Sequence, residues 1–259
     1  MAVLAPKVVL VTGGARGIGR ALACAFAHER YRVVVASRNE NKLQTVAEEI
    51  RRQGGQALAL RCDITQKTQV EQLEKQIREQ FGNVQVLINN AGIAVAASFL
   101  EMADSLWDET LRVNMTGTYN CCKVFLPGMI EHQWGRIINL ASTAAKVPYS
   151  HVSAYTSSKH GIVGLTRSLA LETARLGVTV NAICPGYVDT ERTRENAQRM
   201  ADETGKNVED VLKLFAQRSP QNRLIAPEEV AALTLMLASE RAGGITGQAI
   251  NVDGGAVMA

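Results

Sequence analysis

The sequence predicts an α/β chain, read as one doubly wound domain over residues 1–259, with a seven-stranded, mostly parallel sheet and helices on both faces. Short apolar, β-branched runs alternate with longer segments of helical period along the chain, which is the pattern of parallel strands joined by right-handed crossovers. The runs are continuously apolar rather than alternating, as strands buried on both faces must be. The turn after the first run is rich in glycine, which places a ligand at the carboxyl ends of the strands.

In order, KVVLVT (7–12) reads as the first strand and 18–30 as the first helix. RVVVAS (32–37) is the second strand, followed by a charged helix over 40–53. ALALRC (57–62) is the third, followed by a helix over 67–81. VQVLINN (84–90) is the fourth, followed by one long helix over 106–131. GRIINLAS (135–142) and a helix over 155–175 come next, then VTVNAIC (178–184) and, near the end, QAINVDGG (248–255). The polar segment 186–227 is the least regular and reads as a lid, since connections in compact domains are seldom that long.

Composition excludes several functions. The net charge is only +3 and the basic residues are scattered, so neither a nucleic-acid nor a membrane surface is expected. Charged and polar residues interrupt each apolar stretch before the ~18 residues a membrane span needs. MAVLAPK at the start lacks the basic and apolar regions of a secretion signal. The five cysteines form no CxxC pair, which suits reduced thiols in a cytoplasmic protein. NMT at 114–116 matches the glycosylation sequon and is read as coincidence in such a protein. His28, His132, His151 and His160 are dispersed, so no metal site is expected.

TGGARGIG (12–19) follows the first strand and opens the first helix. Glycines there let the backbone approach a pyrophosphate, and the helix start offers free N–H groups and partial positive charge. The spacing is G-x-x-x-G-x-G, not the G-x-G-x-x-G of the common Rossmann fingerprint. An acid at the tip of the second strand would bind a ribose 2′-hydroxyl. Here the tip carries Ser37 and Arg38, and Arg16 sits in the glycine loop. Two guanidiniums suit a 2′-phosphate, so NADP(H) is favoured, and Glu40 keeps NAD(H) as the alternative.

Tyr155 and Lys159 in YTSSK stand one helical turn apart, a spacing that on its own only puts them on one helix face. With TGGARGIG, NNAG (89–92), Asn114, Ser142 and PGYVDT (185–190), the set resembles the short-chain dehydrogenase/reductase family, in order and spacing, over essentially the whole chain. The resemblance implies a Rossmann-type fold and hydride transfer to a ketone or aldehyde. Tyr155 is then the general acid and base, and it contacts both cofactor and substrate. Lys159 favours the phenolate by its charge and holds the nicotinamide ribose. Ser142 holds the substrate oxygen. Asn114 distorts the long helix and holds a water that links Lys159 to solvent.

Gly13, Arg16, Gly17, Ile18 and Gly19 are expected around the phosphates, with Ser37 and Arg38 at the 2′-position. By resemblance, Asp63 and Ile64 flank the adenine, and Asn90, Ala91 and Gly92 pass the riboses. Pro185, Gly186, Val188 and Thr190 meet the nicotinamide end. Tyr187 and the segment 94–99 wall the substrate pocket, which His151 either lines or leaves for solvent. Arg192, Arg194 and Arg199 are read as a solvated helix face paired with Glu191, Glu195 and Asp202, the alternative being that they meet the phosphates of a phosphopantetheine arm or an acidic carrier protein. The nearest likeness is to β-ketoacyl and polyketide ketoreductases, acting on a β-keto thioester or related carbonyl compound, and to 3-hydroxyacyl dehydrogenases. An NAD-dependent alcohol or 3-hydroxyacyl dehydrogenase and a non-catalytic nucleotide sensor are the alternatives. Relatives of this branch imply a homotetramer.

Overall fold

A computed structural model describes residues 6–258; the start of the N-terminal stretch read for a secretion signal lies outside the described residues. The strands are β1 (Val8–Thr12), β2 (Arg32–Ser37), β3 (Gln56–Arg61), β4 (Val84–Asn89), β5 (Gly135–Leu140), β6 (Val178–Pro185) and β7 (Ala249–Val252). They form one sheet in the order β3-β2-β1-β4-β5-β6-β7, and each adjacent pair is parallel. The order reverses between β1 and β4. Strand ends splay at such a switch point, and open α/β sheets bind their ligands there. The fold is thus the doubly wound, Rossmann-type α/β fold that the periodicity predicts.

The helices are α1 (Gly17–His28), α2 (Glu40–Arg52), α3 (Lys67–Gln80), α4 (Asp104–Leu111), α5 (Gly117–Glu131), α6 (Ser153–Thr173), α7 (Glu191–Thr204), α8 (Val208–Ala216) and α9 (Pro227–Ala238). Alternate residues of each central strand feed opposite layers. Val9 and Val11 join Leu22 and Phe26 of α1 and Val230 and Leu237 of α9 on one face. Leu10 joins Leu73 and Ile77 of α3 and Phe125 and Met129 of α5 on the other. Each such side chain contributes about 1.5–3 kcal/mol of burial, and together they fix the strand tips in register.

One expectation sharpens and one changes. The long helix is interrupted where a distortion was expected: α4 and α5 are joined by a π-helical turn at Arg112–Thr116. The segment 186–227 is not irregular, because it contains α7 and α8. Thr190 and Asn207 cap these helices by accepting the N–H groups of Thr193 and Asp210. Ala197, Ala201 and Val211 then form a small core of their own. The insertion leaves and returns at one point, where Ile225 N–H donates to Tyr187 O and Asp189 N–H to Ile225 O, both at 2.9 Å. Among the described residues no helix is long and apolar enough to cross a membrane.

Candidate active site

The glycine loop is sewn to the switch point. Asn90 Nδ2 donates to the carbonyls of Thr12 (3.0 Å) and Gly13 (3.1 Å). Thr12 Oγ1 accepts the N–H groups of Asn90 (3.1 Å) and Ala91 (3.2 Å). A Cβ on Gly19 would lie 2.2 Å from Gly13 O, and Gly17 has φ +54° where α1 begins. This close backbone packing leaves the first N–H groups of α1 facing a cleft of about 480 Å³.

The cleft gathers the expected nucleotide residues: Gly13, Arg16, Gly17, Ile18 and Gly19; Ser37 and Arg38; Asp63 and Ile64; Asn90, Ala91 and Gly92; and Thr190. Asn39 and Lys42, which sequence reasoning missed, line it beside Arg38. Lys42 stands in the first turn of α2, and Asn39 caps that helix by accepting its N–H. A basic residue three or four positions after the strand tip was the available signal. Glu40 is not among the lining residues. Arg16 lines the same cleft as Arg38, and its Nη1 pairs with Glu195 of α7 at 2.6 Å. Asp63 Oδ1 accepts the N–H of Thr65 at 3.0 Å.

Ser142, Tyr155 and Lys159 converge on a second cavity of about 580 Å³. Ser142 follows β5 and starts a short 3₁₀ turn, its Oγ accepting Ala144 N–H at 3.1 Å. Pro185, Gly186, Tyr187, Val188 and Thr190 line the same cavity, and Tyr187 is stacked on Phe215 of α8 with ring centres 4.5 Å apart. The exposed His151 lines it too. Ile18, Asn90, Gly92, Thr190 and Arg192 line both cavities, so the two meet at that point.

Lys159 is buried, and its Nζ donates to Leu140 O at 2.6 Å and lies 5.7 Å from the centre of the Tyr155 ring. Burial first, and the charge of Arg192 second, pull Lys159 down to about 8. The Tyr155 phenol is raised above its ordinary value by burial, while the Ser142 hydrogen bond and the Arg192 charge act against the rise. Lys159 was expected to favour the phenolate; the influences that oppose burial at the phenol are Ser142 and Arg192.

Asn114 sits in the π-helical turn, so the helix is distorted at the expected residue. Its Oδ1 accepts Ile93 N–H (2.8 Å), and its Nδ2 donates to Ile93 O (2.9 Å) and to Ser158 Oγ (2.9 Å). Ser158 Oγ in turn donates to Tyr155 O at 2.7 Å. Asn114 lines neither cavity; it ties the segment after β4 to the helix that carries Tyr155. Arg192 also departs from expectation. It is turned inward, and its Nη1 donates to Gly92 O at 2.9 Å. Arg194 stays exposed and pairs with Asp189, and Arg199 donates to Asn196. Among the described residues no group of His, Cys, Asp or Glu is arranged to hold a metal.

The family model described as short chain dehydrogenase matches residues 7–201. The chain belongs to the short-chain dehydrogenase family. Family members of similar sequence include a Streptomyces coelicolor protein provisionally named a ketoacyl reductase, 38% identical with 98% of each chain covered. Another is the D-beta-hydroxybutyrate dehydrogenase of Cupriavidus necator, 36% identical over 96% of this chain and 97% of the other. Among solved structures, a variant of actinorhodin polyketide ketoreductase crystallised with NADPH matches with a TM-score of 0.94. It is 38% identical, with 97% of each chain covered. Membership makes this protein an oxidoreductase.

Proposed function

We propose that the protein is an NADP(H)-dependent carbonyl reductase that converts a ketone, a β-keto thioester or related 3-oxo compound, to a secondary alcohol. The observation that carries this reading is the meeting of the two cavities: Ser142, Tyr155 and Lys159 face a chamber that opens on a cleft shaped for a dinucleotide. The cleft fits that group. The loop that would take the diphosphate is packed too closely for side chains at Gly13 and Gly19. Ser37, Arg38 and Lys42 line the cleft together and Glu40 does not, which suits a 2′-phosphate. Asp63 and Ile64 would border the adenine, Asn90, Ala91, Gly92 and Lys159 the riboses, and Pro185, Gly186, Val188 and Thr190 the nicotinamide. The solved neighbour with NADPH supports the same choice.

Bound NADPH would supply the hydride. The rest is the work of the chain. Ser142 Oγ and Tyr155 Oη hold the substrate oxygen, and Tyr155 Oη gives it a proton as negative charge develops there. A phenol raised by burial is fully protonated at neutral pH, the form that reduction requires. Lys159 and Arg192 stabilise the phenolate left behind, after which Tyr155 is reprotonated from solvent. We assign that return to Lys159 and a water held at the Asn114 turn. Tyr187 and Phe215 wall the substrate side.

The same reading extends to the whole protein: one catalytic domain, 1–259, with 186–227 as its lid. It would work in the cytoplasm, where its five unpaired cysteines stay reduced, and as a homotetramer, for which the exposed Leu171 and Tyr119 on α6 and α5 offer apolar surface. The hydroxybutyrate dehydrogenase among the relatives favours a second reading, an NAD-dependent 3-hydroxyacyl dehydrogenase. One experiment separates them. NADPH and NADH are supplied with acetoacetyl-CoA, and NADP⁺ and NAD⁺ with 3-hydroxybutyryl-CoA. The reductase reading expects the first arm with NADPH to dominate. Faster oxidation with NAD⁺ would replace it with the second reading.

A further inference from the structure

Arg192 stands in the first turn of α7, at the junction of the two cavities. That is a poor place for a cation. A helix N-terminus carries partial positive charge. The side chain is largely withdrawn from water, and a second buried cation, Lys159, feels its charge. Its guanidinium makes one hydrogen bond, to Gly92 O. No carboxylate hydrogen-bonds it among the described residues. Glu195, whose charge it feels, is bound to Arg16 instead. A guanidinium has five N–H donors, so most of its bonding capacity faces the junction. A desolvated, unmatched cation is retained at a cost, and costs of this kind cluster at functional sites.

We propose that Arg192 is an anion receptor of the loaded site, binding a carboxylate or phosphate at the junction beside the reacting carbonyl. The substrate would then be a keto acid whose own acid group meets Arg192, with the cofactor diphosphate as the other source of the same chemistry. The proposal rests on the reductase reading for its choice of ketone, but its test does not require turnover. The Tyr155→Phe protein is loaded with NADPH, and the quenching of its fluorescence is titrated with acetoacetate and with methyl acetoacetate, which differ in one charge. Charge-assisted bonds of this kind are worth about tenfold or more in affinity. The acid is expected to bind at least tenfold more tightly than the ester, and Arg192→Met to erase that preference.

Arg192→Gln, which can keep the bond to Gly92 O without the charge, is measured beside it in case the Met variant folds poorly. If instead both variants weaken NADPH itself at least fivefold and the ester and acid bind alike, the anion is the cofactor diphosphate. If neither the acid preference nor NADPH affinity changes in either variant, the proposal is overturned. Failure of the wild type to turn over any ketone would overturn the reductase reading without touching this binding result.

Discussion

Arg38 and Lys42 line the nucleotide cleft with Ser37 and Asn39, and the carboxylate in the same lining, Asp63, accepts the Thr65 N–H. Two cations reach a 2′-phosphate there, each through bonds of about 1.5 kcal/mol at a site open to solvent. Their sum, about 3 kcal/mol, is a preference for NADPH over NADH on the order of 100-fold. Arg38→Ala removes one contact and should lower that preference about tenfold. Arg38→Asp also places a charge of the wrong sign against the phosphate and offers a carboxylate to the ribose of NADH, so it should bring the two cofactors close to parity. Fluorescence titration of each protein with both cofactors reads this directly. Raised salt should weaken NADPH more than NADH, because exposed charges are screened. An unchanged NADPH preference in Arg38→Asp would refute the assignment of this corner to the phosphate.

Three more outcomes are expected. Lys159 is buried, and its pKa falls from the usual 10.5 to about 8. The unfolded chain therefore binds more protons between those values, and the penalty, present in full below pH 8, is relieved as pH rises toward 10.5. Lys159→Met should abolish activity yet raise the melting temperature at neutral pH, by about 2–4 °C per kcal/mol gained. That gain should shrink above pH 8, and a lower melting temperature at every pH would contradict it. Gly19→Ala places a methyl 2.2 Å from Gly13 O and 2.6 Å from Asn90 Nδ2, which itself donates to Gly13 O. It should destabilise by about 1–3 kcal/mol and weaken NADPH binding, read by thermal denaturation and titration. Asn114→Ala deletes three side-chain hydrogen bonds and leaves the Ile93 backbone groups unpaired, at a cost of about 2–4 kcal/mol. Denaturant unfolding checks it.

What the chain spelled out plainly was whatever depends on period and local turn chemistry. Val8–Thr12 and the central stretches of β2, β4, β5 and β6 are mostly apolar and buried, so the parallel sheet followed, while the edge strands β3 and β7 are only partly buried. Tyr155 and Lys159 are one helical turn apart, and a helix brings them together whatever surrounds it. Contacts across the chain were not legible. Arg192 sits among acids in sequence and Arg16 among glycines, yet one turns inward to Gly92 and the other reaches Glu195 on α7. Which way each points depends on how α7 lies over the cleft, and no local pattern encodes that. That the helix is distorted at Asn114 came from family resemblance rather than composition, and the structure makes the distortion a π-helical turn. It exists because the side chain of Asn114 is pulled to Ile93 and Ser158, partners 21 and 44 residues away. The charge acting on Tyr155 likewise comes from a helix that follows it in the chain.

The most direct test compares NADPH oxidation by the wild type and Tyr155→Phe with a 3-oxo substrate, alongside NADPH affinity for each. Loss of the proton donor should lower kcat by about 10²–10⁴-fold and leave NADPH binding within twofold, as the phenol is not needed to fill the nucleotide cleft. A Tyr155→Phe protein that turns over at the wild-type rate would contradict the account, because another group would then be delivering the proton.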